Sequence, residues 1–287
     1  MLDYDALKAW ELAKTQTYAE RDTMLYALGV GLGADPLDEQ ELRFVFERDL
    51  LALPTMSAVL CHPGVWVREA RLGLDWLKVM HGEHHMTFHS PLPAAGAVEA
   101  RYRNTAVVDK GEGRGALICQ EKRVLDATSG APISTTQALY FARGDGGFSG
   151  SGPTSDPSPA APPAPPETPP EVTCDLVTIP RQPLLYRLSG DYMPVHADPA
   201  AARAAGFPRP FMHGLCTYAM AGQAILKTFC GYDPARLASL GVRFTAPWYP
   251  GETLRTEFWR TGDSIAFRAR ALERDVVVLN NGTAELR

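Results

Sequence analysis

Two stretches of the chain alternate apolar and polar residues in the manner of paired β-strands. Residues 91–126 and residues 247–280 each open with a turn that contains Pro and Gly, continue in alternation, and are broken by a Gly-containing turn. Alternation buries one face of a strand, and two such runs joined by a turn predict an antiparallel hairpin. Because both stretches show the same order of features, we infer that the chain contains two copies of one domain.

Helical spacing appears in fewer places. Residues 18–33 bring Met24, Leu25 and Leu28 to one face and end in glycines, which predicts an amphipathic helix. Residues 198–206 predict a short helix that an Asp caps and a Gly ends.

The segment 214–230 is apolar or small on nearly every side, which predicts a buried helix. One long buried helix beside antiparallel strands is typical of an α+β fold in which the sheets wrap around a central helix. We therefore predict this fold class for the chain.

A proline-rich segment separates the two copies. Nine of the 18 residues from Pro153 to Pro170 are proline, and proline donates no backbone hydrogen bond and favours an extended chain. We predict an N-terminal domain over residues 1–150, a linker over residues 151–171 and a C-terminal domain over residues 172–287.

Composition and charge narrow the class of protein. The 287 residues are 45% hydrophobic and 21% charged, as in soluble globular proteins. The net charge of -5, without a basic block, argues against nucleic acid as a partner and favours a small molecule. No apolar run reaches the roughly 18 residues that span a membrane, and the N-terminus lacks a signal-peptide pattern, so we expect a cytoplasmic protein. The five cysteines show no CxxC spacing, which predicts neither disulfides nor a zinc site.

Candidate chemistry lies early in the C-terminal domain. The sequence LSGDYMPVHADP holds Asp191 and His196 five residues apart on a turn-like segment, and the buried helix begins soon afterwards at Gly214. The first N–H groups of a helix have no intrahelical acceptor and carry partial positive charge, so they can hold an oxygen that gains negative charge. The chain thus offers an acid, an imidazole and an oxyanion donor within about 25 residues.

The stretch from YRLSGDYMPVHADP to FMHGLCTYAMAGQAI resembles the signature of the MaoC-like, (R)-specific type 2 enoyl-CoA hydratases, which have the hotdog fold. Other stretches outside the linker are also similar to this family, among them RDTMLYALGVGLGAD, VMHGEHHMTFHSPLPAAG and PWYPGETLRTEFW. The resemblance implies two hotdog folds in tandem, of which the first is non-catalytic and accommodates the acyl chain. It further implies reversible hydration of a trans-2-enoyl-CoA to the (R)-3-hydroxyacyl-CoA without metal or redox cofactor, and association as a homodimer.

By the same resemblance, Asp191 and His196 transfer protons, and the N–H of Gly214 binds the thioester oxygen. Met193 departs from the family, which usually has an Asn there that helps to hold the attacking water. A thioether is only a weak acceptor, so we expect weakened catalysis rather than none. The alternatives are an acyl-CoA binding protein without turnover and a hotdog thioesterase, although the motif argues against the thioesterase.

Several further residues are weaker candidates. His213 precedes Gly214 and could reach the substrate, and Arg209 and Arg243 could meet the phosphates of CoA. The cluster HGEHHMTFH (residues 81–89) has four histidines and Glu83, but it lacks a complete metal-ligand set. We interpret it as a strand that lines the acyl tunnel or a dimer face, and we predict no metal.

Overall fold

The backbone forms a sheet of ten strands within residues 2–150 and 155–287, which the computed structural model describes. The strands are β1 Glu11–Tyr18, β2 Val79–Phe88, β3 Gly96–Asp109, β4 Ala116–Asp126, β5 Pro132–Ala142, β6 Val172–Val177, β7 Leu237–Phe244, β8 Thr253–Thr261, β9 Ser264–Ala271 and β10 Val276–Leu286. The α-helices are α1 Tyr4–Lys8, α2 Glu20–Val30, α3 Glu39–Leu42, α4 Gln182–Tyr186, α5 Pro199–Ala204 and α6 Gly214–Ile225. Among them, none has the length and apolarity that crossing a bilayer requires.

The order of the strands reveals the duplication. The sheet runs β1-β3-β4-β5-β2-β7-β10-β9-β8-β6, and every neighbouring pair is antiparallel. Counted outwards from the central β2–β7 pair, the strands of the first half are β2, β5, β4, β3 and β1. They correspond in this order to β7, β10, β9, β8 and β6 of the second half. The two predicted hairpins are the equivalent pairs β3–β4 and β8–β9. Two hotdog folds in tandem are therefore confirmed, and they share one continuous sheet.

The two halves meet where β2 pairs with β7. Glu83 stands opposite Arg243, whose guanidinium donates two hydrogen bonds to its carboxylate at 2.9 and 2.6 Å. The ring of His85 lies so close to Gly241 that a Cβ there would come within 2.0 Å of Nδ1. Because β2 also pairs with β5, it has no free edge with which to extend the sheet into a second chain.

Helix α6 lies inside the core. Its residues from Cys216 to Ile225 are all buried, and a π-helical turn extends it to Cys230. The predicted helix is thus confirmed over its whole length. A Cβ at Gly222 would lie 3.1 Å from Leu240 of β7, so the missing side chain allows helix and sheet to pack closely. The buried apolar residues of both halves form one core around this helix.

Helix α2 starts later than predicted and buries a different face. Tyr18 is the last residue of β1, and the helix begins at Glu20. Of the three residues that helical spacing brings to one face, Leu28 is 43% exposed, and Met24 and Leu25 are only half-buried. The side chains that are buried instead are those of Thr23, Tyr26, Ala27 and Val30. The cause is a tertiary contact, because the ring of Tyr26 packs 5.8 Å from that of Tyr186 on α4.

The proline-rich segment has no helix or strand over residues 155–171, and it is held against both halves. The carboxylate of Asp156 accepts the N–H of Val107 on β3 at 2.8 Å. The amide of Asn281 on β10 donates to the carbonyl of Pro162 at 3.0 Å. The start of the predicted linker, residues 151–154, lies outside the described residues. All five cysteines have free thiols, as their spacing predicts.

Gly29 sets the distance between α2 and α4, and α4 leads directly to Asp191. A Cβ at Gly29 would lie 3.0 Å from the Cα of Tyr186, and Gln182 donates to the Gly29 carbonyl at 2.7 Å. We expect Gly29→Ala to lower the free energy of unfolding by about 1–3 kcal/mol through overpacking, a loss larger than the roughly 0.5–1 kcal/mol that alanine gains in a helix.

Urea denaturation measures this loss. The matched control is Leu28→Ala on the exposed face of the same helix, which should change stability by about 0.5 kcal/mol at most. A Gly29→Ala protein as stable as the original chain would show that the two helices are not in tight contact.

Candidate active site

The segment after α4 folds back on itself and forms the core of the site. The chain turns at Gly190, whose φ of 128° favours glycine. The carboxylate of Asp191 then accepts the N–H of Met193 at 3.1 Å, and a 3₁₀ turn over Pro194–His196 returns the imidazole towards the carboxylate. Helix α5 follows, and Asp198 caps it as the sequence predicts.

Three side chains converge at this point. Ligand atoms of Asp191, His196 and His213 all lie within 4.8 Å of one another. The ring centroids of His196 and His213 are 3.9 Å apart, and the exposed fractions of these residues are 8% and 0%. The structure thus brings the two predicted proton-transfer residues together and adds His213 beside them.

Hydrogen bonds fix which nitrogen of each imidazole is free. Nδ1 of His196 lies 2.9 Å from the carbonyl of Phe211, and Nε2 of His213 lies 3.2 Å from the backbone carbonyl of Asp191. A carbonyl only accepts, so these nitrogens carry the hydrogens, and the lone pairs are on Nε2 of His196 and Nδ1 of His213. Within the described part of the chain, Nδ1 of His213 is buried without a hydrogen-bond partner.

Burial and charge set the protonation states. Burial lowers the pKa of His196 below its ordinary value, although the charge of Asp191 opposes this, and burial lowers the pKa of His213 to about 3. Burial raises the pKa of Asp191, but the attraction of the nearby imidazoles in their protonated form and the N–H of Met193 outweigh this effect, so the net shift of the Asp191 pKa is downward. These imidazoles belong to His62, His196 and His213. Near neutral pH the site therefore holds an ionised carboxylate between neutral rings.

The N–H of Gly214 stands at the start of α6. The N–H groups of Cys216 and Thr217 both donate to the carbonyl of His213 at 3.0 Å, whereas the Gly214 N–H has no acceptor among the described residues. A Cβ at Gly214 would lie 3.3 Å from the ring of Phe244, so glycine allows this close approach. The helix start consequently presents a free donor next to His213.

The remaining predicted residues have different surroundings. Met193 is half-buried within the site segment. Arg209 is exposed, and its guanidinium lies 4.8 Å from the ring centroid of Tyr249, which leaves it accessible to an anion. Arg243 pairs with Glu83 at 2.6 Å across the β2–β7 contact, and its contact with the phosphates of CoA stays a prediction.

The first half also reaches the site, which the sequence did not indicate. A cleft of about 450 Å³ lies between Lys14 of β1, the loop at His62 and Gly190. The charge of Asp191 acts on the pKa of both His62 and His81, which places two imidazoles of the first half near the carboxylate. No spacing or motif marks His62, because its position depends on how the halves pack.

The histidines around β2 make separate contacts. Nε2 of His81 lies 3.3 Å from Nδ1 of His84, and Nε2 of His85 lies 3.7 Å from the carboxylate of Glu83. Nε2 of His89 lies 2.9 Å from a threonine hydroxyl. The groups of this cluster therefore point to different partners, whereas those of Asp191, His196 and His213 share one space.

Two hotdog halves share one sheet, and in the second half an acid and an imidazole lie beside a helix start. These features define a double-hotdog protein. The family model for the MaoC like domain matches residues 158–281. The model for the MFE-2 hydratase 2 N-terminal domain matches residues 16–144.

Similar proteins cover nearly the whole chain. Enoyl-CoA hydratase 2, peroxisomal, of Arabidopsis thaliana is 37% identical over 96% of this chain and 93% of its own. 3-Hydroxyacyl-thioester dehydratase Y of Mycobacterium tuberculosis is 39% identical over 93% of this chain and 92% of its own. The crystal structure of a MaoC-like dehydratase from Phytophthora capsici superposes with a TM-score of 0.86 at 30% identity, over 100% of this chain and 98% of that one. The chain belongs to the MaoC-like dehydratase family, which confirms the resemblance.

The buried neutral histidines predict a loss of stability in acid. Burial lowers the pKa of His81 to about 4 and of His213 to about 3, and it lowers that of His84 well below its ordinary value. In the unfolded chain each of these histidines takes up a proton near pH 6.5, whereas in the folded chain it stays neutral until the pH is lower. Stability is therefore complete above about pH 6.5 and falls as the pH drops towards the folded values, by about 1.4 kcal/mol per pH unit for each such histidine.

Urea denaturation between about pH 7.5 and about pH 5 measures this slope, since few carboxylates titrate there. Because His84 is fully buried, His84→Gln should reduce the slope by about one proton. Equal stability at both ends of the range would contradict the burial of neutral rings.

Proposed function

We propose that the protein catalyses the reversible addition of water to a trans-2-enoyl-CoA, which gives the (R)-3-hydroxyacyl-CoA, and that it needs no metal or redox cofactor. The observation that carries this proposal is the convergence of a carboxylate oxygen of Asp191 and a ring nitrogen of His196 within 4.8 Å, close to the helix that starts at Gly214. The names of the relatives that cover 93–96% of the chain support the same reaction.

The proton transfers follow from the protonation states. Hydration places the water oxygen on C3, removes a proton from that water and delivers a proton to C2. In the resting site, both Asp191 and His196 can only accept a proton, yet the reaction needs one group that donates. The reactive form of the pair therefore carries one proton more than the resting form. One member then takes the proton of the water while the other gives its proton to C2, and the pair ends with the same number of protons as before. The reverse steps dehydrate the product.

The start of α6 stabilises the charge that this addition creates. As the water attacks C3, negative charge moves to the thioester oxygen. We assign the binding of this oxygen to the N–H of Gly214 and the dipole of the helix. In other enzymes, loss of one such donor costs about 2.7–4 kcal/mol of transition-state stabilisation.

We assign catalysis to residues 172–287 and the accommodation of the acyl chain to residues 1–150, with residues 151–171 as the linker. The cleft beside His62 and Gly190 supports this division, because it connects the first half with the catalytic segment. Arg209 is our candidate contact for a CoA phosphate, since its guanidinium is exposed beside Tyr249. The homodimer and the cytoplasmic location stay predictions, and the Arabidopsis relative is named as peroxisomal.

We expect loss of the enoyl absorbance when the protein is mixed with short and long trans-2-enoyl-CoA, without release of free thiol. Asp191→Asn and His196→Gln should each lower kcat by about 10²–10⁴-fold, because each removes a proton-transferring group. Asp198→Asn, which changes only the cap of α5, is the control and should retain activity. Thiol release would identify a thioesterase instead, and binding without turnover would identify an acyl-CoA binding protein.

We expect Met193→Asn to raise turnover by up to about tenfold, because the amide can hold the attacking water and a thioether cannot. The comparison is made in the same absorbance assay at saturating substrate. Met193→Leu keeps the volume without adding a polar group, so it should leave the rate unchanged. A rate for the Asn variant no higher than that of the Leu variant would contradict this role of the position.

A further inference from the structure

The free lone pairs around Asp191 match the ligand set of a transition-metal ion. Each of His196 and His213 uses one ring nitrogen to donate to a backbone carbonyl, and the other nitrogen is free. The Asp191 carboxylate accepts one backbone N–H and has further lone pairs available. In metal sites, the ligating imidazoles are oriented in the same way, by a hydrogen bond from the other nitrogen to a carbonyl or carboxylate.

His213 gives an independent indication that this space holds a ligand. Its side chain is 0% exposed, and its Nδ1 has no hydrogen-bond partner within residues 2–150 and 155–287. A buried polar atom without a partner destabilises the folded state, and a bound cation or water would remove this cost. The lone pair is on the nitrogen that does not contact Asp191.

We propose that Asp191, His196 and His213 bind Zn²⁺ and that the bound ion inhibits the enzyme. Two imidazoles and a carboxylate form the ligand set of open zinc sites, in which water takes the fourth position. Zinc ligands lie about 2.0–2.2 Å from the ion and therefore about 3.3 Å from one another in a tetrahedron. One ligand atom of each residue now lies within 4.8 Å of the others, so binding requires the three side chains to move closer together.

The bound ion would inhibit because it would occupy the lone pairs that the proposed reaction needs. Zn²⁺ would bind the Nε2 lone pair of His196 and a carboxylate oxygen of Asp191, the atoms that exchange protons in the proposed reaction. This part of the inference rests on the proposed function, whereas the binding of the ion does not. Nitrogen ligands favour Zn²⁺ and Co²⁺ over Mg²⁺, which prefers oxygen, so Mg²⁺ should neither bind at this position nor inhibit.

The test begins with full-length protein that has been treated with EDTA and desalted. We expect calorimetry to show one Zn²⁺ bound per chain, and Co²⁺ to give the visible absorption bands of a tetrahedral site. Saturating Zn²⁺ should lower the hydration rate at least tenfold, and EDTA should restore it. Unchanged or increased activity with bound Zn²⁺ would overturn the inhibitory role.

A pair of variants locates the ion. His213→Gln removes the Nδ1 lone pair but retains an N–H for the carbonyl of Asp191, and it should weaken Zn²⁺ binding by about 100-fold. His85→Gln removes a histidine from the cluster around β2, the other place rich in histidine, and should leave Zn²⁺ binding unchanged.

Native melting curves establish that both variants fold. Absence of Zn²⁺ binding to the original chain, or binding that survives His213→Gln, would show that the inference is wrong. Because calorimetry and Co²⁺ absorption need no turnover, a failure of the proposed hydratase activity is distinguished from a failure of this inference.

Discussion

The site depends on one hydrogen-bonded junction at the start of α6. The carbonyl of His213 accepts the N–H groups of Cys216 and Thr217, while its ring contacts the carbonyl of Asp191. The same residue thus begins the buried helix and holds the catalytic segment in place. Because α6 is buried in the core, the junction cannot shift without disturbing that core, and this fixes the free N–H of Gly214 relative to the carboxylate.

Local patterns were sufficient for the features that depend on neighbours in the sequence. Alternation predicted the hairpins, and uninterrupted apolar character predicted α6. The spacing of Asp191 and His196 indicated a shared site, which the structure shows as a convergence with His213. Features that depend on distant packing were missed. The buried face of α2 is decided by contact with α4, and the pairing of Arg243 follows from the register between β2 and β7. The approach of His62 to the site also requires both halves.

Burial keeps the histidines of the site neutral, and it also makes the folded protein less stable in acid. An exposed imidazole takes up a proton near pH 6.5, whereas burial holds His196 and His213 neutral over a wider range and preserves their lone pairs. The cost is a folded state that tolerates acid poorly. Neutral nitrogens beside an ionised carboxylate accept a proton from water, and for the same electronic reason they accept a soft divalent cation. At His196, the proton and the metal ion would use the same nitrogen lone pair. A substitution that removes metal binding there therefore also removes proton transfer.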